Sequence, residues 1–142
     1  MFGGDDNDFL GGGTGNDRMF GGSDRDFLVG EAGNDMLDGG DDNDQLVGSS
    51  GNDTYTGGAG ADMFVFVTDG DHDVVTDFEV GIDELHFEAG LWGGATTGQQ
   101  LIDLYADDST ADVVFDFGDG TTVTIQNIAD ADSLASSLFS FL

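Results

Sequence analysis

The chain of 142 residues has no cysteine and no proline, and its basic residues number two, Arg18 and Arg25. Without cysteine it can build no disulfide framework, no thiolate zinc centre and no cysteine nucleophile. No apolar run approaches the roughly 18 residues of a membrane-spanning helix, which argues against membrane insertion. No basic-then-apolar stretch of the signal-peptide kind opens the sequence. Asp and Glu number 30, the formal charge is −28, and like-charge repulsion argues against nucleic acid or anionic lipid as a partner. What is plentiful is glycine, 25 residues, together with aspartate. An acidic, glycine-rich chain of this kind needs cations.

The two halves differ in kind. Leu, Ile, Val and Phe account for 11 of the 63 residues from Gly3 to Val65, but for 25 of the 77 from Phe66 to Leu142. A strongly charged chain below roughly 20% on this measure does not collapse unaided. The first half therefore needs something besides apolar burial to fold, whereas the second has material for an ordinary core.

The first half is periodic. Cut in nines from Gly3 it reads GGDDNDFLG, GGTGNDRMF, GGSDRDFLV, GEAGNDMLD, GGDDNDQLV, GSSGNDTYT and GGAGADMFV, without an insertion. Position 1 is always Gly, and position 6 is always Asp: Asp8, Asp17, Asp26, Asp35, Asp44, Asp53 and Asp62. Position 8 is always large and apolar: Leu10, Met19, Leu28, Leu37, Leu46, Tyr55 and Phe64. The expected unit is a glycine-rich turn over the first six residues, then a three-residue strand with one inward apolar side chain. One such unit buries almost nothing, so it must stack on copies of itself.

A longer period lies inside the first. Position 4 reads Asp6, Gly15, Asp24, Gly33, Asp42, Gly51 and Gly60, alternating every 18 residues until the last block. Two blocks per coil account for this, with odd blocks on one edge and even blocks on the other. The fold expected is all-β: a parallel β-roll of about three and a half coils, standing about 17 Å tall at the strand spacing of roughly 4.8 Å.

On that geometry the position 6 aspartates form two columns, Asp8, Asp26, Asp44 and Asp62 on one edge and Asp17, Asp35 and Asp53 on the other. Carboxylates about 5 Å apart repel, and a hard divalent cation between coils turns that repulsion into attraction. Calcium suits best, because it accepts six to eight oxygens, carbonyls included, in flexible geometry. Magnesium demands a tighter octahedron, and zinc prefers His or Cys, which the repeats lack. Pairing each block with the next but one gives five sites: Asp8/Asp26, Asp17/Asp35, Asp26/Asp44, Asp35/Asp53 and Asp44/Asp62.

The blocks resemble the nonapeptide G-G-x-G-x-D-x-(large apolar)-x of repeats-in-toxin (RTX) proteins, a pattern of calcium-binding β-helices. The resemblance covers residues 3–65. It implies a calcium-loaded parallel β-roll in which the position 6 Asp and loop carbonyls are ligands. Those loop residues are Gly4, Gly13, Gly22, Glu31, Gly40, Ser49 and Gly58 at position 2, and Asp6, Gly15, Asp24, Gly33, Asp42, Gly51 and Gly60 at position 4. Asp at position 4 and Glu31 and Ser49 at position 2 depart from the pattern, and Asp tolerates the left-handed backbone better than most residues. The stretch from Gly70 to Leu85 is similar to the segment that closes the roll in secreted RTX proteases and lipases. Asp73 and Val75 mimic positions 6 and 8 of an eighth block, so a sixth site is expected between Asp53 and Asp73, with Asp77 nearby. The expected load is thus about five to six calcium ions.

The last third reads as ordinary structure. Residues 113–117 and 121–125 alternate around Gly118-Asp119-Gly120, the pattern of a hairpin. Asp130 or Asp132 is placed to cap a short helix carrying Leu134 and Leu138 on one face. Residues 1–78 are therefore expected to form the roll and 79–142 a C-terminal cap. The apolar tail Phe139-Ser140-Phe141-Leu142 is expected to pack against the domain. The RTX resemblance adds an uncleaved C-terminal signal read by a type I secretion apparatus, and hence an extracellular location. Met1-Phe2 sits in register with Met19-Phe20, as though the chain begins inside a longer array at the end of a larger secreted protein.

Other chemistry is thinly represented. His72 and His86 show no H-E-x-x-H spacing, and Ser23, Ser49 and Ser50 sit in no G-x-S-x-G elbow. Asp69-x-Asp71-x-Asp73 begins like an EF-hand loop, but Val74 stands where Gly is needed and Val80 where Glu belongs. Tyr55, Phe64 and Trp92 read as core, and Arg18 and Arg25 as members of weak surface pairs. The expected function is a non-catalytic calcium-binding module that folds after secretion and stabilises or exports a larger protein. The alternatives are a module binding an extracellular polymer, and the end of a secreted hydrolase whose active site lies upstream.

Overall fold

From position 6 of one block to position 1 of the next, Asp, apolar residue and Gly recur at every second residue, the period of an extended strand. The structure, a computed structural model, describes residues 1–67, 71–91, 93, 95, 97–107, 111–128 and 130–141. It turns that alternation into eight strands: β1 Phe2–Gly4, β2 Phe9–Thr14, β3 Arg18–Gly22, β4 Phe27–Ala32, β5 Met36–Asp41, β6 Gln45–Ser50, β7 Thr54–Ala59 and β8 Met63–Phe66. Most are six residues long rather than three, because each runs on through positions 1 to 3 of the next block. The position 1 glycine belongs to the strand and faces inward; the turn is confined to positions 4 to 6.

Odd strands stack in one sheet and even strands in the other, all in parallel, with a shift of 18 residues: Leu28 lies beside Leu46 and Leu37 beside Tyr55. This is the parallel β-roll expected. Its seven position 8 side chains, from Leu10 to Phe64, form a continuous buried row between the sheets.

Beyond the repeats both sheets continue. Strand β9 (His72–Val75) pairs with β7, and β10 (Glu84–Glu88) pairs with β8. The expected hairpin is present as β12 (Val113–Asp116) and β13 (Thr122–Ile125), with β13 parallel to β9 and a short β11 (Ala106–Asp107) beside β12.

Two features differ from expectation. Asp130 does cap a turn, accepting from the Asp132 N–H at 3.1 Å, but that turn is a single 3-10 stretch, Ala131–Leu134. Leu138 is not on its face: it opens β14 (Leu138–Phe141), which pairs in parallel with β10, since the edge of β10 needs a partner and the tail can supply one. Helix α1 (Gly98–Tyr105) was not anticipated, for its eight residues make little more than two turns, too short a stretch for a period to show. Thr97 caps it, and Leu101 and Ile102 bury against the common core. Up to Phe141 the tail is thus a strand paired with β10. Trp92 and Leu142 lie outside the described residues.

Candidate metal centres along the roll

The repeat geometry brings the position 6 aspartates into the two columns expected. Because positions 6, 8 and 1 share one face of each strand, the carboxylate points inward rather than to solvent. Asp26, Asp35, Asp44, Asp53 and Asp62 are buried. On one edge the backbone N–H of Asp8 donates to Asp26 Oδ1 at 2.7 Å, that of Asp26 to Asp44 Oδ1 at 2.7 Å, and that of Asp44 to Asp62 Oδ1 at 2.9 Å. On the other, Asp17 donates to Asp35 Oδ1 at 2.8 Å, Asp35 to Asp53 Oδ1 at 2.8 Å, and Asp53 to Asp73 Oδ1 at 2.9 Å.

One carboxylate oxygen is thereby used by the fold. The other is not: Oδ2 of Asp8, Asp17, Asp26, Asp35 and Asp44 is buried with no hydrogen-bond partner. A buried anionic oxygen without a donor is expensive, and it is the usual mark of a ligand position. The strictness of Gly at position 1 follows from the same oxygen. At Gly39 a Cβ would collide with Asp44 Oδ2 and the Gly57 carbonyl oxygen, and at Gly30 with Asp35 Oδ2 and the Gly48 carbonyl oxygen.

Every loop residue at positions 2 and 4 has a positive φ, including Asp6, Asp24, Asp42, Glu31 and Ser49, which lie between 69° and 76°. At Gly22 and Gly40 in position 2, and at Gly33 and Gly51 in position 4, a Cβ would collide with the carbonyl of the preceding coil. The departures from glycine stand at the other loop position of each edge, Asp6, Asp24 and Asp42 at position 4 and Glu31 and Ser49 at position 2.

Burial raises the carboxyl pKa values of Asp35, Asp44 and Asp62. Asp44 is pushed up to about 7 chiefly by desolvation, with Asp62, Asp26 and Asp42 adding repulsion against the opposing Asp26 N–H bond. Asp62 is pushed up to about 6, again mainly by desolvation, with Asp83, Asp77 and Glu79 adding to it. Asp35 shifts upward for the same first reason. A divalent cation would reverse this preference for the neutral form. Among the described residues no three His, Asp or Glu side chains converge on one point, so a cation here must take part of its shell from backbone carbonyls. Calcium fits such a mixed, oxygen-only donor set; zinc does not.

The columns end in side chains that sequence reasoning placed only in part. Asp73 extends one column as anticipated. The other ends at Asp83, which was missed: it accepts from the Asp62 N–H at 3.0 Å and the Glu79 N–H at 2.8 Å, so both its oxygens are used. Its signal was legible, since Asp83 and Leu85 repeat the spacing of positions 6 and 8. Asp77, expected near Asp53 and Asp73, lies instead on the Asp62 edge, because it follows the far end of β9: it accepts from the Gly57 and Gly58 N–H groups, each at 2.9 Å, while Asp71 accepts from the Gly51 N–H at 2.7 Å on the Asp53 edge. Tyr55 accepts from the Gly48 N–H at 3.0 Å.

His72 bonds Thr122 and His86 bonds Glu84, so neither faces the columns. The surface pairs expected of the arginines do not form: among the described residues neither Arg18 nor Arg25 lies within ion-pair distance of a carboxylate, both being extended into solvent. Asp69, the first residue of the EF-hand-like run, lies outside the described residues.

Two parallel sheets wound from nonapeptides, with inward carboxylates stacked coil on coil, define a β-roll of metal-binding repeats. Residues 2–37 and 29–64 match the family model of the RTX calcium-binding nonapeptide repeat, a model spanning four copies. Residues 2–64 are RTX repeats, whose family binds calcium. No curated protein sequence matches the chain. Among solved structures, the extracellular lipase LipA from Serratia marcescens is similar at 26% identity and a TM-score of 0.67, over 90% of this chain and 20% of the lipase. The chain thus spans about a fifth of the lipase's length. The AlgE6R3 subunit of the Azotobacter vinelandii mannuronan C5-epimerase aligns at 25% identity, over 92% of this chain and 78% of that one, with a TM-score of 0.43.

Proposed function

We propose that the chain is a calcium-dependent folding module of a secreted protein. The observation that carries it is the row of buried Oδ2 atoms, from Asp8 to Asp44, that no protein donor meets. In this reading Asp8, Asp17, Asp26, Asp35, Asp44, Asp53 and Asp62 each offer a carboxylate. Loop carbonyls at positions 2 and 4, from Gly4 and Asp6 to Gly58 and Gly60, complete the shells. Five ions lie between successive coils, and a sixth lies between Asp53 and Asp73, where Asp71 accepts from the Gly51 N–H of the last loop. Residues 1–78 form the calcium-loaded roll and residues 79–142 its cap.

At low calcium, as inside a cell, the charge of −28 keeps the chain expanded and able to thread a type I secretion apparatus. At the roughly millimolar calcium of the extracellular space, binding supplies the folding free energy that the small core of the first half lacks. Because an interior Asp faces a neighbour on both sides, loading is cooperative.

Circular dichroism of the full chain in chelator, in calcium and in magnesium tests this. Calcium, and not magnesium at equal concentration, is expected to convert a disordered spectrum into a β spectrum. A spectrum that chelator leaves unchanged overturns the proposal.

A further inference from the structure

The two edges of the roll differ at position 5. On the edge of Asp17, Asp35 and Asp53 that position is Asn throughout, and a continuous ladder runs along it. Asn16 Oδ1 accepts from the Asn34 N–H at 3.0 Å, Asn34 Oδ1 from the Asn52 N–H at 3.0 Å, and Asn52 Oδ1 from the His72 N–H at 2.9 Å. On the other edge position 5 reads Asn7, Arg25, Asn43 and Ala61. Asn7 Oδ1 accepts from the Arg25 N–H at 3.3 Å, and Asn43 Oδ1 from the Ala61 N–H at 2.9 Å. Between these two bonds the ladder stops, because a guanidinium has no acceptor to offer the amide of Asn43.

Arg25 also lines a groove of about 500 Å³ together with Asp8, Asp26 and Asp44. Those are the aspartates whose Oδ2 atoms are buried and unmet on this edge. Arg25 forms no ion pair with any of them among the described residues. Arg25 therefore brings a positive charge to the groove without pairing with the column's oxygens. It repels any cation that approaches them, and at the same residue the loop loses the strut that orders its counterpart on the opposite edge.

We propose that Arg25 sets the calcium affinity of this edge, weakening the sites at Asp8/Asp26 and Asp26/Asp44 both by its charge and by the missing acceptor. The assignment rests on the calcium-module function above and concerns this chain's own residue rather than the repeat pattern.

Calcium titration of the full chain, followed by calorimetry and by the loop amide signals in NMR, separates the two contributions. Arg25→Ala removes the charge alone and is expected to tighten binding about threefold. Arg25→Asn also restores the acceptor and is expected to tighten it further, to about tenfold. The shift should fall on the amides of Gly22 and Gly40, and not on those of Gly33 and Gly51 across the roll. Arg18→Asn removes an equal charge outside the ladder and should move the titration less than either. Binding that both Arg25 variants leave unchanged, or that Arg18→Asn shifts as far as Arg25→Asn, overturns this inference alone. A parent chain that takes up no calcium overturns the calcium-module function and this inference with it.

Discussion

Asp26 donates its backbone N–H to Oδ1 of Asp44, one coil further on, at 2.7 Å, while Oδ2 of that same Asp44 carboxylate is buried with no donor. One oxygen fixes the register of the coils and the other is left for a ligand. The division recurs on both edges, so one residue type serves the fold and the site at once.

An interior aspartate should therefore matter more than a terminal one. Asp35→Asn keeps an oxygen to accept the Asp17 N–H, now at 2.8 Å, but loses the charge and the second oxygen. The calcium concentration for half-folding is expected to rise about tenfold or more, the weight of one charged hydrogen-bond partner. Asp8→Asn, at the open end of its column, should shift it less. Circular dichroism titrations of the two variants make the comparison.

The pH dependence should change sign with calcium. Asp44 and Asp62 in the metal-free roll have carboxyl pKa values raised to about 7 and about 6 from 3.8. A raised folded-state pKa stabilises the metal-free roll at low pH, and that contribution is lost as pH rises from about 4 through 7. In chelator, residual structure should thus be greater at about pH 5 than at about pH 8. With calcium, protons compete for the same oxygens, and the half-saturating calcium concentration should rise as pH falls from about 7 to about 6. A calcium affinity indifferent to pH over that range would contradict the raised values.

Glycine substitutions should rank by cause. Gly39→Ala places a methyl group against Asp44 Oδ2 and the Gly57 carbonyl oxygen, and should cost about 3 kcal/mol as well as displacing the ligand oxygen. Gly13→Ala meets open space and pays only for its φ of 93°, about 1 to 2 kcal/mol. Thermal melts at saturating calcium should order them so, with calcium affinity falling only in Gly39→Ala.

Tyr55→Phe tests the closing end. Strand β6 keeps β4 beside it to Ser50 but loses β8 after Val47, beside Val65, and the Gly48 N–H that follows is met by the Tyr55 hydroxyl at 3.0 Å. Without it a buried donor is unsatisfied, at a cost of about 1 to 3 kcal/mol in a calcium-saturated melt. A melting point equal to the parent's would mean that Gly48 finds another acceptor.

Much of the site was legible because each coil contacts only its neighbours. A strict period in the glycine of position 1, the aspartate of position 6 and the apolar residue of position 8 then translates directly into columns. The 18-residue alternation at position 4 translates into two edges. The Asn16–Asn34–Asn52 ladder was visible in the same way but carries no charge or hydrophobicity to draw attention to it. Strand length was misjudged because glycine was read as turn, when at position 1 its role is to leave space for a carboxylate.

The end of the roll was another matter. Asp83 lies 21 residues beyond the amide it accepts, not 18, and Asp77 and Asp71 replace backbone groups that the departing chain no longer supplies. Helix α1 and strand β14 are likewise non-periodic, and β14 finds its partner in the edge of β10. The coil, its two acidic edges and its appetite for a divalent cation could thus be read from the residues alone, since these arise from local contacts repeated in phase. How the coil is stopped emerged with the folded chain, because closing it depends on whichever distant side chains reach the last exposed amides.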